Sequence, residues 1–200
     1  MNTNKNTVLR ITGIGLMTAI VIILQMLGAF IKPGPFSISL VLIPIVIGTA
    51  LFGVKAGAWL GFVFGVVVLI SGDAAAFLAI NIPGTIVTVL LKGSAAGFLS
   101  GLVYKLLESK NTFVASLAAA AVCPIVNTGV FLLGCLVFFM DTIKMWAEGA
   151  GMGDNVTLYM IVGLVGINFI AEFVINLVLS PTIVQIVKIG KKQFAKGKQA

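Results

Sequence analysis

Long apolar stretches, separated by short polar turns, run through almost the whole chain and limit what it can fold into. Charged residues make up 10% of the 200 positions and the mean hydropathy is +1.18, whereas about a quarter of a soluble domain is normally charged. A helix that crosses a lipid bilayer needs about 20 mostly apolar residues. The pattern therefore predicts an all-α membrane protein with six transmembrane helices. The predicted spans are Val8–Phe30, Ser37–Val54, Ala56–Gly72, Gly84–Tyr104, Phe113–Phe139 and Thr157–Leu179.

The basic residues favour one orientation of these spans. If the N-terminus is cytoplasmic, ten of the 13 Lys and Arg residues lie on the cytoplasmic side, Lys32 and Lys144 lie outside, and Lys92 lies within the fourth span. The ten are Lys5, Arg10, Lys55, Lys105, Lys110, Lys188, Lys191, Lys192, Lys196 and Lys198. Since cytoplasmic loops are enriched in Lys and Arg, we expect a multi-pass protein of the plasma membrane with both termini in the cytoplasm. Residues 1–187 would form one six-helix transmembrane domain and 188–200 a basic cytoplasmic tail.

The chain lacks the residues that several classes of protein function require. The chain has no histidine, and its two cysteines lie twelve residues apart in the fifth span, about 18 Å along a helix and too far for a disulfide. A zinc or haem site of the usual kind is therefore not expected. There is no GxxxxGK[ST] phosphate loop and no serine or cysteine nucleophile with a histidine base. We expect no enzyme activity, no cofactor and no metal, and the net charge of +7 points to a lipid bilayer rather than to nucleic acid.

A few polar side chains lie within the predicted spans. Lys92 is about two turns into the fourth span, Asn127 is in the middle of the fifth, and Asn168, Glu172 and Asn176 are four residues apart in the sixth. That spacing places the last three on one helix face. Charged groups at this depth normally face a bundle interior or a wet cavity. Two interpretations are open: a ligand cavity in which Lys92 meets an anionic group, or a structural pair of Lys92 with Glu172 and asparagines that join helices.

Further candidates lie on the predicted outer side. Residues 71–83 are semi-polar and are expected to form a short helix or loop over a cavity, where Asp73 and Asn81 either reach a ligand or form a turn and a helix cap. Trp146 lies in the outer loop between the last two spans. A tryptophan at this level usually anchors the protein at the membrane interface, but it could also stack over a ligand as part of a lid.

Small residues recur at four-residue spacing in three of the spans. The series are Gly53, Gly57, Gly61 and Gly65; Gly93, Gly97 and Gly101; and Gly15 with Ala19. This spacing lines up small residues on one helix face, where another backbone can approach closely. We expect the two glycine series to hold helices together within the protein, although a docking face for a second membrane protein would show the same pattern.

The pattern changes after Ser180-Pro181. Apolar residues alternate with polar ones at helical spacing, as in an amphipathic helix on the cytoplasmic surface or a helix that binds a partner. The apolar positions are Ile183, Val184 and Val187, and the polar ones are Gln185, Lys188, Lys191 and Lys192.

Taken together, the chain resembles the substrate-binding S component of an energy-coupling factor (ECF) transporter over nearly its full length. The resemblance is carried by IPIVIGTALFGVKAGAWLGFVFGVVVL at 43–69 and NIPGTIVTVLLKGSAAGFLSGLVYK at 81–105. These segments contain an Ile-Pro pair in span two, a Gly-x-x-x-Gly run in span three and an Asn-Ile-Pro turn opening span four, one residue longer than the Asn-Pro-like turn of the family. Gly15 and Ala19 match the small-x-x-x-small pattern of span one, with glycine where alanine is typical.

The resemblance implies an S-component-like bundle that captures a vitamin or related micronutrient from outside and delivers it by docking on a transmembrane coupling protein with two ATPase subunits. The substrate-binding residues would be Lys92, Asn127, Glu172, Asn168, Asn81 and Trp146. Gly15 and Ala19 would contact the coupling protein. The pattern is most similar to pantothenate-type members, and a carboxylate ligand would suit Lys92. Riboflavin-type members share the layout, but FSISLVL precedes Ile43-Pro44 where they carry an acidic element.

One alternative class is a self-sufficient secondary transporter of a small anionic solute, with Glu172 carrying a proton. Six spans without an evident inverted repeat are few for that class. Uptake driven by ATP rather than by a proton gradient would separate the two.

Overall fold

The computed structural model describes residues 2–30 and 39–197, with side chains over 7–30 and 39–193. This part of the chain consists of helices joined by short turns. The α-helices are α1 (Asn2–Gly28), α2 (Leu42–Phe52), α3 (Val54–Ile70), α4 (Ala75–Leu78), α5 (Ile82–Leu107), α6 (Thr112–Phe138), α7 (Met140–Gly149), α8 (Val156–Leu158), α9 (Gly166–Val178) and α10 (Ser180–Gly197). A 3-10 turn at Gly153–Asn155 precedes α8, and a π-helical segment at Tyr159–Leu164 separates α8 from α9.

Four helical segments of the described chain are long and apolar enough to cross a membrane. They are Thr7–Gly28, Ile82–Leu107, Thr112–Phe138 and the composite segment Gly153–Val178. They correspond to predicted spans one, four, five and six, and their ends differ from the predicted ends by only a few residues. The prediction of an all-α protein with several membrane-capable helices is confirmed.

The second and third predicted spans are shorter as helices. α2 has 11 residues and α3 has 17, which corresponds to about 16 Å and 25 Å, against a hydrocarbon core of about 30 Å. Predicted span two began at Ser37, which lies outside the described residues, but Ser39–Val41 form a turn and α2 starts only at Leu42. The junction also moves from the predicted Val54-Lys55 to Gly53. Its φ of 90° is readily accessible only to glycine.

The glycine series bring α3 and α5 into direct backbone contact. A Cβ atom at Gly61 would collide with the carbonyl oxygen of Gly93, and one at Gly97 would collide with that of Gly57. The two helices therefore approach more closely than any larger residue would allow. The expectation that these glycines hold helices together within the protein is confirmed for this pair.

α6 packs on α5 and completes the centre of the bundle. Ala96 of α5 and Ala119 and Cys123 of α6 are fully buried in the core, together with Phe64 of α3. Cys135 is also buried, and both cysteines are free thiols. This agrees with the prediction that two cysteines twelve residues apart on one helix are too distant to form a disulfide.

α10 confirms the predicted amphipathic helix after Ser180-Pro181. Ile183, Val184 and Val187 are buried against the bundle, and Lys191 forms an ion pair with Glu108 just after the end of α5. The helix continues without interruption across position 188. Lys196 and Lys198 of the predicted tail lie outside the described side chains.

Candidate ligand-binding site

A cavity lies between α3, α4, α5, α6 and α9, and comprises about 700 Å³ of empty space, counting the part that is open to solvent. The polar lining consists of Ser39, Asp73, Thr85, Thr88, Lys92, Asn127, Thr128, Asn168 and Glu172. The apolar lining includes Val68, Ala74, Phe77, Val89, Phe131, Phe139, Val165 and Phe169. Four of the six residues predicted to bind substrate, Lys92, Asn127, Asn168 and Glu172, thus line the same cavity.

Lys92 places a cation in this cavity. Its Nζ lies 5.6 Å from the ring centroid of Phe64 and 5.3 Å from that of Phe131, so two aromatic faces stabilise the charge where water is scarce. Glu172 and Asp73 are close enough to attract it, but within the described part of the chain no carboxylate forms an ion pair with it within 4.0 Å. The structural interpretation of a direct Lys92–Glu172 salt bridge therefore does not match the geometry.

Glu172 is instead held by the main chain and side chain of Ser39 and by the amide of Asn127. Its Oε1 accepts a 2.8 Å hydrogen bond from the main-chain N–H of Ser39, and the Asn127 amide lies beside the same carboxylate. Asn168, Glu172 and Asn176 are all buried, which confirms that their spacing places them on one inward face of α9. Asn176 does not line the cavity, and its Nδ2 donates to the main-chain oxygen of Glu172 at 2.8 Å.

Two polar atoms on the wall lack a partner among the described residues. Thr88 Oγ1 and Asn127 Oδ1 are both buried and make no hydrogen bond there. Leaving a buried polar group unsatisfied costs about 1–3 kcal/mol. A ligand that supplies a donor to Asn127 and either partner to Thr88 would recover that free energy.

An aromatic cluster forms one end of the cavity around Phe77 of α4. Phe77 makes edge-to-face contacts with Phe139 at 4.8 Å, and with Phe131 and Trp146 at 5.6 Å each. Trp146 lies on α7 behind Phe77 and does not line the cavity. The predicted outer loop that carries it is largely helical, with Ile143 and Ala147 buried.

The segment before α5 adopts the predicted short helix, α4, and divides its polar residues between two roles. Asn81 caps α5: its Oδ1 accepts the N–H of Gly84 at 2.9 Å, and it does not line the cavity. Asp73 does line the cavity, and its Oδ2 accepts a 2.9 Å hydrogen bond from Gln25 of α1. Gln25 is 1% exposed, so this contact ties α1 to the cavity rim.

Sequence reasoning missed the threonines and phenylalanines of the wall. Thr85 and Thr88 precede Lys92 by seven and four residues, and Phe131 follows Asn127 by four. These are the spacings of one helix face, so extending each face from its polar residue would have found them. Ser39 carried no such signal, because it lies before α2, outside any helical face, and reaches Glu172 with both its main-chain N–H and its side chain.

The small residues of α1 lie on the other side of that helix. Gly15 and Ala19 are exposed, and a Cβ at Gly15 would meet no atom within 4 Å. Ile11, Ile22 and Met26 are exposed near the same face, at 64%, 40% and 44%. No other described helix covers this face.

Metal ligands do not cluster in the described part of the chain: no group of three or more His, Cys, Asp or Glu side chains could hold a metal ion there. The cavity thus offers the amine of Lys92, the carboxylates of Asp73 and Glu172, which already accept hydrogen bonds from Gln25 and Ser39, further amides and hydroxyls, and aromatic faces. Such a set can bind a small anionic molecule with an apolar portion.

Comparison with known families gives one result. The model of the family "ECF transporter, substrate-specific component" matches residues 9–184. No curated protein and no solved structure matches the chain. Members of this family are multi-pass membrane proteins that serve transport and are not enzymes. Because the match spans both the cavity-lining helices and α1, the chain belongs to the substrate-specific components of ECF transporters.

Proposed function

We propose that this chain captures a small carboxylate-bearing micronutrient, with pantothenate as the best candidate, and delivers it by docking on a transmembrane coupling protein with two ATPases. The family assignment supports the general role. The observation that carries the substrate class is Lys92, a cation on the wall of a cavity between apolar helices that has no described carboxylate in salt-bridge contact.

Pantothenate has groups that match the chemistry of the wall. Its carboxylate would pair with Lys92, and its amide and hydroxyl groups would satisfy Asn127 and Thr88. Its dimethyl carbon would pack among phenylalanines such as Phe77 and Phe131. Asn168 and Glu172 would complete the polar side. Asn81 and Trp146 would act indirectly, by capping α5 and supporting Phe77.

We further propose that α2 and α3 complete a six-span bundle with both termini in the cytoplasm. The distribution of charge supports this orientation. Arg10 contacts the end of α2, Lys55 lies in the first turn of α3, and Lys191 contacts Glu108. All three therefore lie at one end of the bundle, as does Lys105 in the last turn of α5, and the positive-inside rule assigns that end to the cytoplasm.

The test is mass spectrometry of small molecules released from the gently purified full chain. We expect one carboxylate-bearing compound per protein chain. A stoichiometric compound without an anionic group would contradict the proposed substrate class.

A second measurement addresses delivery. Uptake of that compound into proteoliposomes should require the coupling protein, both ATPases and ATP. Uptake by this chain alone, driven by a proton gradient, would instead establish the secondary-transporter alternative.

A further inference from the structure

An open groove separates the N-terminal parts of α1 and α3, at the opposite end of α3 from Val68 on the cavity wall. It comprises about 1310 Å³, counting the solvent at its mouth. Its walls include Arg10, Ile11 and Ile14 of α1 and Lys55, Ala56 and Trp59 of α3. None of these residues lines the ligand cavity.

The mouth of the groove is basic. One nitrogen of Arg10, Nη2, donates a 2.8 Å hydrogen bond to the main-chain oxygen of Phe52, which fixes the guanidinium and leaves further N–H groups for another acceptor. Lys55 is exposed beside it, and no acidic residue lines the groove within the described chain. Lys55 is also the second residue of α3, so the positive end of the helix dipole adds to the attraction for an anion.

Away from the mouth the walls are apolar. The side chain of Ile11 is 64% exposed and that of Trp59 is 50% exposed. Trp59 is held in place, because its Nε1 donates to Thr18 Oγ1 at 3.2 Å and its ring stacks on Phe62 at 6.0 Å. Tryptophan is enriched where hydrocarbon meets headgroups. The groove is therefore basic at its mouth and apolar along its walls, which matches the change from headgroups to acyl chains within one leaflet of a bilayer.

We propose that this groove binds one anionic phospholipid of the cytoplasmic leaflet. Its phosphate lies on Arg10 and Lys55, and an acyl chain lies along Ile11, Ile14 and Trp59. The charge of the mouth selects an anion, and the apolar walls select a lipid over a free phosphate. The site is separate from substrate capture and depends only on the proposed orientation, in which this end faces the cytoplasm.

Quenching of Trp59 fluorescence by brominated lipid tests the site directly. The chain contains two tryptophans, so in the full-length Trp146→Phe protein Trp59 is the sole indole. In nanodiscs, phosphatidylglycerol with brominated acyl chains should quench Trp59 at a several-fold lower mole fraction than brominated phosphatidylcholine. Arg10→Gln with Lys55→Gln should remove this preference, since two basic contacts at an anionic surface account for roughly 30-fold in affinity.

A matched control separates a site from diffuse charge. Lys105→Gln with Lys110→Gln removes the same charge from the same end of the bundle, outside the groove, and should keep the preference. Equal quenching by both lipids, or equal loss in the two double variants, would overturn the proposal. If the Arg10 variant does not fold, Lys55→Gln alone should still weaken the preference.

Two further readouts separate this site from other roles. Substrate retention measured by mass spectrometry should be the same in Arg10→Gln with Lys55→Gln as in the parent. Assembly with the coupling protein is the second readout. If the parent shows no lipid preference and Arg10→Gln with Lys55→Gln no longer assembles with the coupling protein, the groove is a protein contact and the lipid site is refuted.

Discussion

Lys92 illustrates how a single residue sets the chemistry of this bundle. A lysine at the centre of a bilayer costs about 3 kcal/mol or more unless its surroundings compensate. Here the rings of Phe64 and Phe131 provide cation–π contacts, and Glu172 and Asp73 attract it from beyond salt-bridge distance. Lys92 is thus accommodated without a direct salt-bridge partner, which suits a group that receives an anionic ligand.

Lys92→Ala should therefore weaken binding of the retained compound by about 10- to 100-fold, because a hydrogen bond to a charged group contributes about 1.5–3 kcal/mol. Equilibrium binding to the purified protein measures the effect. Lys144→Ala is the matched control, since Lys144 is exposed on α7 outside the cavity and its loss should leave affinity unchanged. Equal affinities for the parent and Lys92→Ala would refute the role of Lys92.

At the scale of elements, the contact of α3 with α5 depends on the absence of side chains. Gly57 and Gly61 lie against Gly97 and Gly93, so main-chain atoms touch across the interface. In a bilayer, where lipid is as apolar as leucine, such close packing is a main source of helix association. This interface fixes the height of Lys92 relative to α3.

Gly97→Ala should destabilise the protein by about 1–3 kcal/mol, because the new Cβ collides with the backbone of Gly57. Thermal unfolding in detergent measures it as a lower midpoint. Gly129→Ala is the control: a Cβ there meets nothing within 4 Å, and alanine favours the helix, so its midpoint should stay the same or rise. Identical midpoints for the two variants would show that the α3–α5 contact is looser than described.

The contact of α10 with α5 is electrostatic and should depend on pH. Partial burial acts to lower the pKa of Lys191, but hydrogen bonding to Glu108 and Tyr104 outweighs it, so that pKa lies above the ordinary 10.5. A raised pKa means that the folded state holds the proton more tightly than the unfolded state. The stabilisation is therefore present at neutral pH and is lost as the pH rises above about 10.5 through the folded-state pKa.

Glu108→Gln should lower the unfolding midpoint at pH 7.5 by about 1–3 °C, which corresponds to less than about 1 kcal/mol because both side chains are partly exposed. Near pH 11 the difference from the parent should shrink. Lys188→Gln, an exposed charge change on the same helix, should show no such pH dependence. A difference between Glu108→Gln and the parent that stays constant across this range would exclude the ion pair as its cause.

At the scale of the whole molecule, the contact of α1 with the cavity rim and the exposed small residues of α1 lie on opposite sides of that helix. Gln25 reaches inward to Asp73 on the cavity rim, whereas Gly15 and Ala19 are exposed on a face that no described helix covers. Small residues on such a face allow a second membrane protein to approach closely. Substrate binding and partner docking should therefore be separable by mutation.

Ala19→Leu should abolish uptake by the assembled transporter while affinity for the ligand stays within about twofold, because the added side chain blocks close helix approach without touching the cavity. Reconstituted uptake and equilibrium binding measure the two effects. Ala79→Leu makes the same chemical change at another exposed position and should spare both. Normal uptake by Ala19→Leu would remove this face as the docking surface.

Much of this architecture follows from sequence periodicity. Runs of about 20 apolar residues identify the four long helices, since the bilayer thickness sets their length. Four-residue spacing placed Asn168, Glu172 and Asn176 on one face, and glycine spacing marked the α3–α5 contact. These are local properties, which depend only on helix geometry and hydropathy.

Only the tertiary structure decided how the polar residues are paired. The sequence alone allowed Lys92 and Glu172 to bind each other, but Glu172 instead accepts hydrogen bonds from Ser39, which lies outside the helical faces that spacing can identify. Asn81 was predicted to bind substrate whereas Asp73 was not among the predicted binding residues, but packing made Asn81 a helix cap and Asp73 a cavity residue. Composition and spacing thus determined a membrane protein with an inward polar face, whereas contacts between residues distant in sequence decided which polar groups are left for a ligand.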